Sequence, residues 1–559
     1  MSETLHITGG EAMVRAAVAN GIDTVFGLPG AQIYPLFDAL ARSEDVSTVV
    51  SRHEQGAAYM AMGYAKATGH PGAYAVVPGP GVLNTTAALC TAMGCNTPVI
   101  CLTGQIMSQF LGVGRGHLHE LDDQAGTLRT IIKHAAHIND PTQTQAVVND
   151  AFRIMQSGRP GPVSVEMCWD TMARSWDVPI GAGNSTIDKP SVDDDAVREA
   201  AALIGQANNV MILCGGGAQH ASSEVRELAS MLGAATAAFR GGRGVVAEDS
   251  DVGVSSATAH RLWADTDLLI GIGSRLEMPY MRWRDMATYV DAPPEGTPKL
   301  IRIDVDPEEM TRLKPVVGVV ADAADGVRAL IEQISRSGFQ KGDPERIVAA
   351  KAETLADIQR VQPEMAYLDV IRDVLPRDGY FVEELCQVGF TSYYGFPIYE
   401  PRTYVTPGYQ GTLGFGFPTA IGVKAACPDK AVVSITGDGG FMFGMPELAT
   451  AVQHDIGLVT VLFNNRAFGN VRRDQENGFG GRLIGANLEN PDFVQLAHSF
   501  GADGSRVASP DELKPALAKA IENDRPAVVE VVVERGSEAT PWTFIHPEAY
   551  PATAMGDKE

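Results

Sequence analysis

The stretch TGDGGFMFGMPELATAVQHDIGLVTVLFNN, Thr436 to Asn465, decides the reading of the whole chain. An apolar run, AVVSIT, leads into Gly437, Asp438, Gly439 and Gly440; a helical pattern follows, and a second apolar run, LVTVLF, ends in two asparagines. Strand, tight acidic turn, helix and strand is the repeating unit of a parallel sheet. In such sheets ligands sit beyond the carboxyl ends of the strands, where Asp438 and Asn465 both fall. The three glycines let the backbone turn sharply and bring bare N–H groups close to a ligand. A hard cation such as Mg²⁺ takes oxygen ligands, one or two from the protein and the rest from phosphate and water. The Asp438 carboxylate, the Asn465 side-chain oxygen and the Ala467 carbonyl suit it, so the pair reads as a metal bridging to a diphosphate. GDG alone is an ordinary turn and NN an ordinary loop start. The specificity lies in both following apolar runs, with one helix between them.

The same alternation extends over the chain. DTVFGLPG, STVVSRHE, AYAVVPGPG and PVICLTGQ recur in the first part, NVMILCGGG, DLLIGIGSR and LIRIDVDP in the middle, and AVVEVVVE near the end. Three such sets predict an α/β protein of three doubly wound parallel-sheet domains. At 559 residues the chain is too long for one core. Linkers are expected at Gly181–Asp195, rich in Gly, Ser, Pro and Asp, and at Ser335–Arg346, which places the domains near 1–185, 186–345 and 346–559. With 45% hydrophobic and 20% charged residues the chain can bury large cores. Its net charge of −24 argues against nucleic acid as a partner. Seven cysteines without a CxxC pair suggest neither a zinc site nor a disulfide framework, and read as small buried hydrophobes. The start MSETLHITGGEAM lacks a signal-peptide pattern and no long apolar run suits a membrane span, so a cytoplasmic protein is expected.

GDG followed a helix and a strand later by NN resembles the signature of thiamine diphosphate enzymes. SRHEQGAAYMAMGYAKATG, PGPGVLNTTAAL, GRPGPVSVEM, GYQGTLGFGFPTAIGVKAA and NPDFVQLAHSFGA are similar to corresponding segments of the acetolactate synthase, benzaldehyde lyase and pyruvate oxidase group, in matching order over nearly the whole length. The resemblance implies a pyrimidine-binding first domain, a central domain and a diphosphate-binding third domain. Glu54, in RHEQGAA, matches the carboxyl group offered to the cofactor's pyrimidine ring. The following Ala57, Ala58 and Met60 make a setting apolar enough to raise a carboxyl pKa by desolvation. Leu413 matches the bulky residue that holds the cofactor bent, and Gly411 the residue whose carbonyl meets the cofactor amino group. Gln387, Phe468 and Gly469 complete the implied cofactor contacts, with Asp438, Asn465 and Ala467 as metal ligands. The resemblance also implies a homodimer or homotetramer with each site shared between subunits, Glu54 from one chain and Asp438 from the other.

Three segments line the substrate pocket in such relatives. In LPGAQIYP, Gln32 occupies a polar or catalytic position. In GQIMSQFLGVGRGHLHELDDQ, His119 replaces a glutamine of acetolactate synthases and offers a group that titrates near neutrality; His117 stands beside it. In RAFGNVRRDQENGFGG, Asn470 and Asp474 stand where acetolactate synthases carry Met and Trp, a more polar wall, and Arg472 and Arg473 offer charge to a carboxylate, sulfonate or CoA phosphate. ILCGGGAQ and IGIGSRLE resemble segments that hold FAD or ADP in relatives; Arg275 is kept, but other FAD-contacting runs are not visible, which weighs against FAD. The expectation is a thiamine diphosphate- and Mg²⁺-dependent enzyme that decarboxylates a 2-oxo acid or related carbonyl compound and ligates the fragment to an acceptor. The alternative is an acyl-CoA-type lyase or decarboxylase (2-hydroxyacyl-CoA lyase, oxalyl-CoA decarboxylase) or a sulfoacetaldehyde acetyltransferase. A non-catalytic scaffold relative would be expected to have lost Glu54 or the Asp438 and Asn465 pair, and this chain retains all three.

Overall fold

The computed structural model describes residues 3–183, 186–283 and 296–548. Strand β1 (Glu3–Thr8) precedes the first sheet, built from β2 (Thr24–Gly27), β3 (Ser47–Val50), β4 (Gly72–Val76), β5 (Val99–Gln105), β6 (His134–Ile138) and β7 (Val163–Cys168); β8 (Ser175–Ile180) follows it. The second sheet contains β9 (Val210–Cys214), β10 (Ala235–Ala238), β11 (Leu268–Ile272), β12 (Lys299–Asp304) and β13 (Val317–Val320). The third contains β14 (Tyr380–Val382), β15 (Tyr404–Val405), β16 (Val432–Gly437), β17 (Val459–Asn464), β18 (Asp503–Val507) and β19 (Ala527–Val532).

All three sheets are parallel, ordered β3-β2-β4-β5-β7-β6, β10-β9-β11-β12-β13 and β15-β14-β16-β17-β19-β18. Helices cover both faces, which is why β5, β9 and β11 are buried at every residue and read as continuous apolar runs. Each predicted strand is present. The short or less apolar β10, β13, β14, β15 and β18 carry too little pattern to read alone. The antiparallel pair β1–β8, Glu3 opposite Ile180 through Thr8 opposite Ser175, was likewise hidden, since its partners lie far apart in sequence.

Three local expectations change. The helix after Gly437 is not continuous: Asp438–Gly444 gives way to a 3₁₀ turn, Met445–Glu447, before Leu448–Gln453, because Pro446 has no N–H to continue the ladder. The Ser335–Arg346 linker is helical at both ends, with Ala323–Ser337 running into it and Pro344–Ile358 starting inside it, which leaves only residues 338–343 outside a helix. Two residues of the Gly181–Asp195 linker, 184 and 185, lie outside the described residues. All seven cysteines are free; Cys101, Cys168 and Cys214 are buried, whereas Cys90 is exposed. Among the described residues no helix is long and apolar enough to cross a membrane.

The first and third sheets are joined through two helices, Glu54–Thr68 and Gly416–Ala426. Their backbones meet at glycines: a Cβ on Gly63 would lie 2.1 Å from the Thr419 carbonyl oxygen, and one on Gly422 1.9 Å from that of Met60. Tyr59 closes the seam edge-on against Phe415, with ring centroids 5.6 Å apart. The contact fixes the segment that begins with Glu54 against the segment that follows Leu413.

Candidate functional site

The third sheet reverses its strand order between β14 and β16, the switch point where an open α/β sheet leaves a crevice. A cavity of about 250 Å³ opens there, lined by Gln387, Leu413, Gly437, Asp438, Gly439, Gly440, Asn465, Ala467, Phe468 and Gly469. Ten of the sequence-predicted cofactor and metal residues thus share one wall. Asp438 is 2% exposed, and burial raises its pKa. Its Oδ2 accepts a 2.7 Å hydrogen bond from Asn490 Nδ2, which also donates to Asn464 Oδ1. Asn490 lay inside the NPDF segment without a role attached; only the fold brings it under Asp438. Asn465 Oδ1 accepts from Ala467 N at 3.0 Å, and Asn465 Nδ2 donates to Glu538.

The backbone leaves room where a ligand would need it. A Cβ on Gly439 would stand 2.3 Å from the Phe468 ring, and one on Gly440 the same distance from Glu384 Oε1, so neither position admits a side chain without movement. The helix Gly469–Gly478 points its first turn into the cavity, and no side chain caps it. An uncapped helix N-terminus offers free N–H groups and a partial positive charge to an oxyanion. Oxygen donors for a hard cation beside a cradle for phosphate are the chemical content of this wall. Arg473 lies beside it, its Nη2 donating to Gln387 Oε1 at 2.9 Å, while Arg472 is engaged on the helix surface with Glu476. Asn470 accepts from Trp542 Nε1 and donates to the exposed Asp474.

Sequence reasoning missed the carboxylate that shapes the Leu413 loop. Glu384, just past β14, is fully buried; its Oε1 accepts from Gly414 N at 2.5 Å, and its Oε2 from Gly416 N at 3.0 Å and Thr436 Oγ1 at 3.2 Å. Burial pushes its pKa up to about 7, against the pull of those three donors. One side chain therefore ties the Leu413 loop to the end of β16. Gly411, at φ +58°, holds the left-handed turn ahead of it and does not line the cavity.

Glu54, Gln32 and His119 gather at the carboxyl end of the first sheet and are not part of that wall. Glu54 opens its helix, half-buried, and its Oε2 accepts from Asn84 Nδ2 at 3.0 Å. A Cβ on Gly81 would lie 3.5 Å from Glu54 Oε1. Gln32 and His119 both adopt left-handed backbone, φ 72° and 65°, strained for residues with a side chain. They bond each other, His119 Nδ1 to Gln32 Oε1 at 2.7 Å, while Gln32 Nε2 donates to the Leu118 carbonyl. Glu120 braces the loop by accepting from His117 N and Gly114 N, which holds its pKa below the usual carboxylate range. His117 stacks on Phe110.

Within one chain the two ends are connected by Glu447. Its buried carboxylate accepts from Arg52 N, His53 N and Thr450 Oγ1, gripping the turn immediately before Glu54 from the segment that begins at Asp438. A separate cavity of about 460 Å³ is bounded by Gly215, Gly216, Gly217, Gly273, Arg275 and Tyr409, where the ILCGGGAQ and IGIGSRLE segments meet. The Arg275 guanidinium sits 4.8 Å from the Tyr409 ring centroid.

Three family models match the chain in order: the N-terminal TPP binding domain of thiamine pyrophosphate enzymes over residues 7–126, their central domain over 197–330, and their C-terminal TPP binding domain over 386–531. A probable acetolactate synthase large subunit of Methanocaldococcus jannaschii is 32% identical over 95% of this chain and 93% of its own length. A probable 2-ketoarginine decarboxylase of Pseudomonas aeruginosa is 31% identical over 91% of each chain. The acetolactate synthase isozyme 1 large subunit of Escherichia coli is 28% identical over 99% of this chain and 98% of its own.

Proposed function

The chain belongs to the thiamine pyrophosphate enzymes and is an acetolactate synthase-like, thiamine diphosphate-dependent decarboxylase/carboligase; we propose that it acts with Mg²⁺, removes carbon dioxide from a 2-oxo acid and ligates the remaining fragment to an acceptor carbonyl. The observation that carries this reading is the switch-point cavity, where Asp438, Asn465 and an uncapped helix N-terminus share one wall. The residues present fit the cofactor: oxygen ligands would take the cation and bare backbone N–H groups the diphosphate, and Leu413 stands on the same wall.

Bound thiamine diphosphate supplies a nucleophilic carbon and an electron sink for decarboxylation. The chain's own groups do the rest. Asp438, Asn465 and the Ala467 carbonyl hold the cation, and Asn490 orients the Asp438 carboxylate. Gln387, Gly439, Gly440 and Gly469 seat the diphosphate, while Glu384 fixes the loop that carries Leu413. Glu54 would pass a proton to and from the pyrimidine ring of the bound cofactor, and His119, oriented by Gln32, would hold or move a proton on the substrate side. We place Glu54 of one protomer opposite Asp438 of another, in a cytoplasmic homodimer or homotetramer, because the Glu54 cluster and the switch-point cavity are separate in the single chain. The central cavity keeps Arg275 but the other flavin-contacting runs are not visible in the sequence, and the ligation itself transfers no net electrons, so a colourless purified protein is expected.

Proton NMR of the protein with thiamine diphosphate, Mg²⁺ and pyruvate tests the reading. Acetolactate is the expected product. Untouched pyruvate, together with untouched longer 2-oxo acids, would overturn it. A second reading has specific support: the polar Asn470 and Asp474 helix face and the relative named as a 2-ketoarginine decarboxylase favour a 2-oxo acid with a cationic side chain, released without ligation. An aldehyde formed from such a substrate alone would select it.

A further inference from the structure

Glu364 has no part in the chemistry assigned so far. It opens the helix Glu364–Val374, is 1% exposed, and neither of its carboxyl oxygens has a hydrogen-bond partner. It nevertheless lines the same cavity as Asp438, Asn465 and Gly469. Arg473 is left similarly incomplete: its Nη2 is bonded to Gln387, a lining residue, while its Nη1 is buried without a partner. A lining carboxyl group without a partner, with an incompletely bonded guanidinium behind the lining Gln387, asks for an occupant, since a buried polar group without a hydrogen bond is left uncompensated for the water it lost.

The protonation state of Glu364 narrows what that occupant is. Glu538 faces it with a like charge, Tyr394 presents a neutral hydroxyl, and Arg473 and the helix N-terminus favour the ionised form. Its own N–H and that of Ala539 approach without completing a hydrogen bond. Burial outweighs these favourable neighbours and pushes the carboxyl up to about 7. A neutral carboxyl group here has an O–H that meets no acceptor in the chain, and Arg473 disfavours a cationic ligand. Both point to an occupant rich in anionic oxygen.

We propose that Glu364 is a further cofactor-binding residue that donates a hydrogen bond, as a neutral carboxyl group, to the diphosphate, with Arg473 as the cationic partner. The inference rests on the thiamine diphosphate reading of this cavity. It makes cofactor capture proton-linked: binding draws a proton onto Glu364 at alkaline pH and weakens as that proton becomes harder to hold.

Calorimetric titration of the full-length protein with thiamine diphosphate at saturating Mg²⁺, from about pH 6 to about pH 8.5, tests this. Between pH 7 and 8 the wild-type affinity is expected to fall about fivefold more than that of Glu364→Gln, whose amide donates at every pH and whose curve reports only the titration of the diphosphate itself. Wild type should also take up more protons on binding at about pH 8, read from buffers of different ionisation enthalpy. Glu364→Leu should bind about tenfold more weakly at about pH 6 while melting no earlier than Glu364→Gln. Identical pH dependence and proton uptake in wild type and Glu364→Gln would overturn the role of Glu364 while leaving the cofactor assignment intact. Failure of the wild type to bind thiamine diphosphate at all would overturn both.

Discussion

At the scale of single residues, carboxyl groups carry separate tasks. Glu54→Gln is expected to keep thiamine diphosphate bound while slowing exchange of its C2 proton by about 10²–10⁴-fold, followed by quenched-flow NMR in deuterium oxide. Unchanged exchange would remove Glu54 from the activating position. Asn490 holds Asp438 by a single 2.7 Å bond, so Asn490→Ala should lower the Mg²⁺ affinity of the loaded protein by about 10–100-fold with the cofactor otherwise in place, measured by metal titration. These two residues differ in legibility. Asp438 and Asn465 were readable because each ends an apolar run, and Glu54 because a matching segment surrounds it. Asn490, Glu384, Glu364 and Glu447 are isolated polar residues whose partners, Thr450 beside Glu447 apart, lie 26 to 395 positions away or are absent from the chain altogether, and nothing in local pattern marks them.

At the scale of elements, two glycine contacts and two buried carboxylates determine how the cofactor-facing segments lie. The Gly63 and Gly422 positions allow the helices Glu54–Thr68 and Gly416–Ala426 to touch backbone to backbone. Gly63→Ala drives a methyl group to 2.1 Å from the Thr419 oxygen and should cost about 1–3 kcal/mol, seen as a lowered melting temperature even though alanine is the better helix former. Glu384 gives a pH signature. Its pKa in the folded protein is raised to about 7 from an ordinary 4.5, so between those values the folded state keeps a proton that the unfolded chain has released. Its contribution therefore makes stability fall as pH rises through that window and level off above it. Glu384→Gln should flatten this part of the stability curve in denaturant titrations, and an unaltered slope would contradict the assignment. The strands feeding the site were legible as apolar runs. The break at Pro446 was obscured by the helical pattern around it, and β14, only three residues long, by its brevity.

At the scale of the whole molecule, three parallel sheets place two clusters at separate strand ends of one chain, Glu54 with Gln32 and His119 on the first and Asp438 with Asn465 on the third. The three-domain alternation was visible in the sequence because buried parallel strands leave continuous apolar runs. That Glu54 and Asp438 meet between two copies is what the family resemblance implies; the residue pattern alone gives no sign of it, because pairing between copies leaves no periodic trace. Exposed Tyr34, Leu83, Leu118 and Phe443 surround or adjoin the segments that carry them, as a surface covered by a second copy would require. The most direct test mixes two inactive variants, Glu54→Gln and Asp438→Ala, refolded or co-expressed together, and follows product formation from a 2-oxo acid with thiamine diphosphate and Mg²⁺. If each site joins Glu54 of one protomer to Asp438 of its partner, every mixed dimer holds one intact site, and activity absent from either variant alone is expected to appear in the mixture. A mixture as inactive as its parents, with mixed dimers demonstrably formed, would contradict the account.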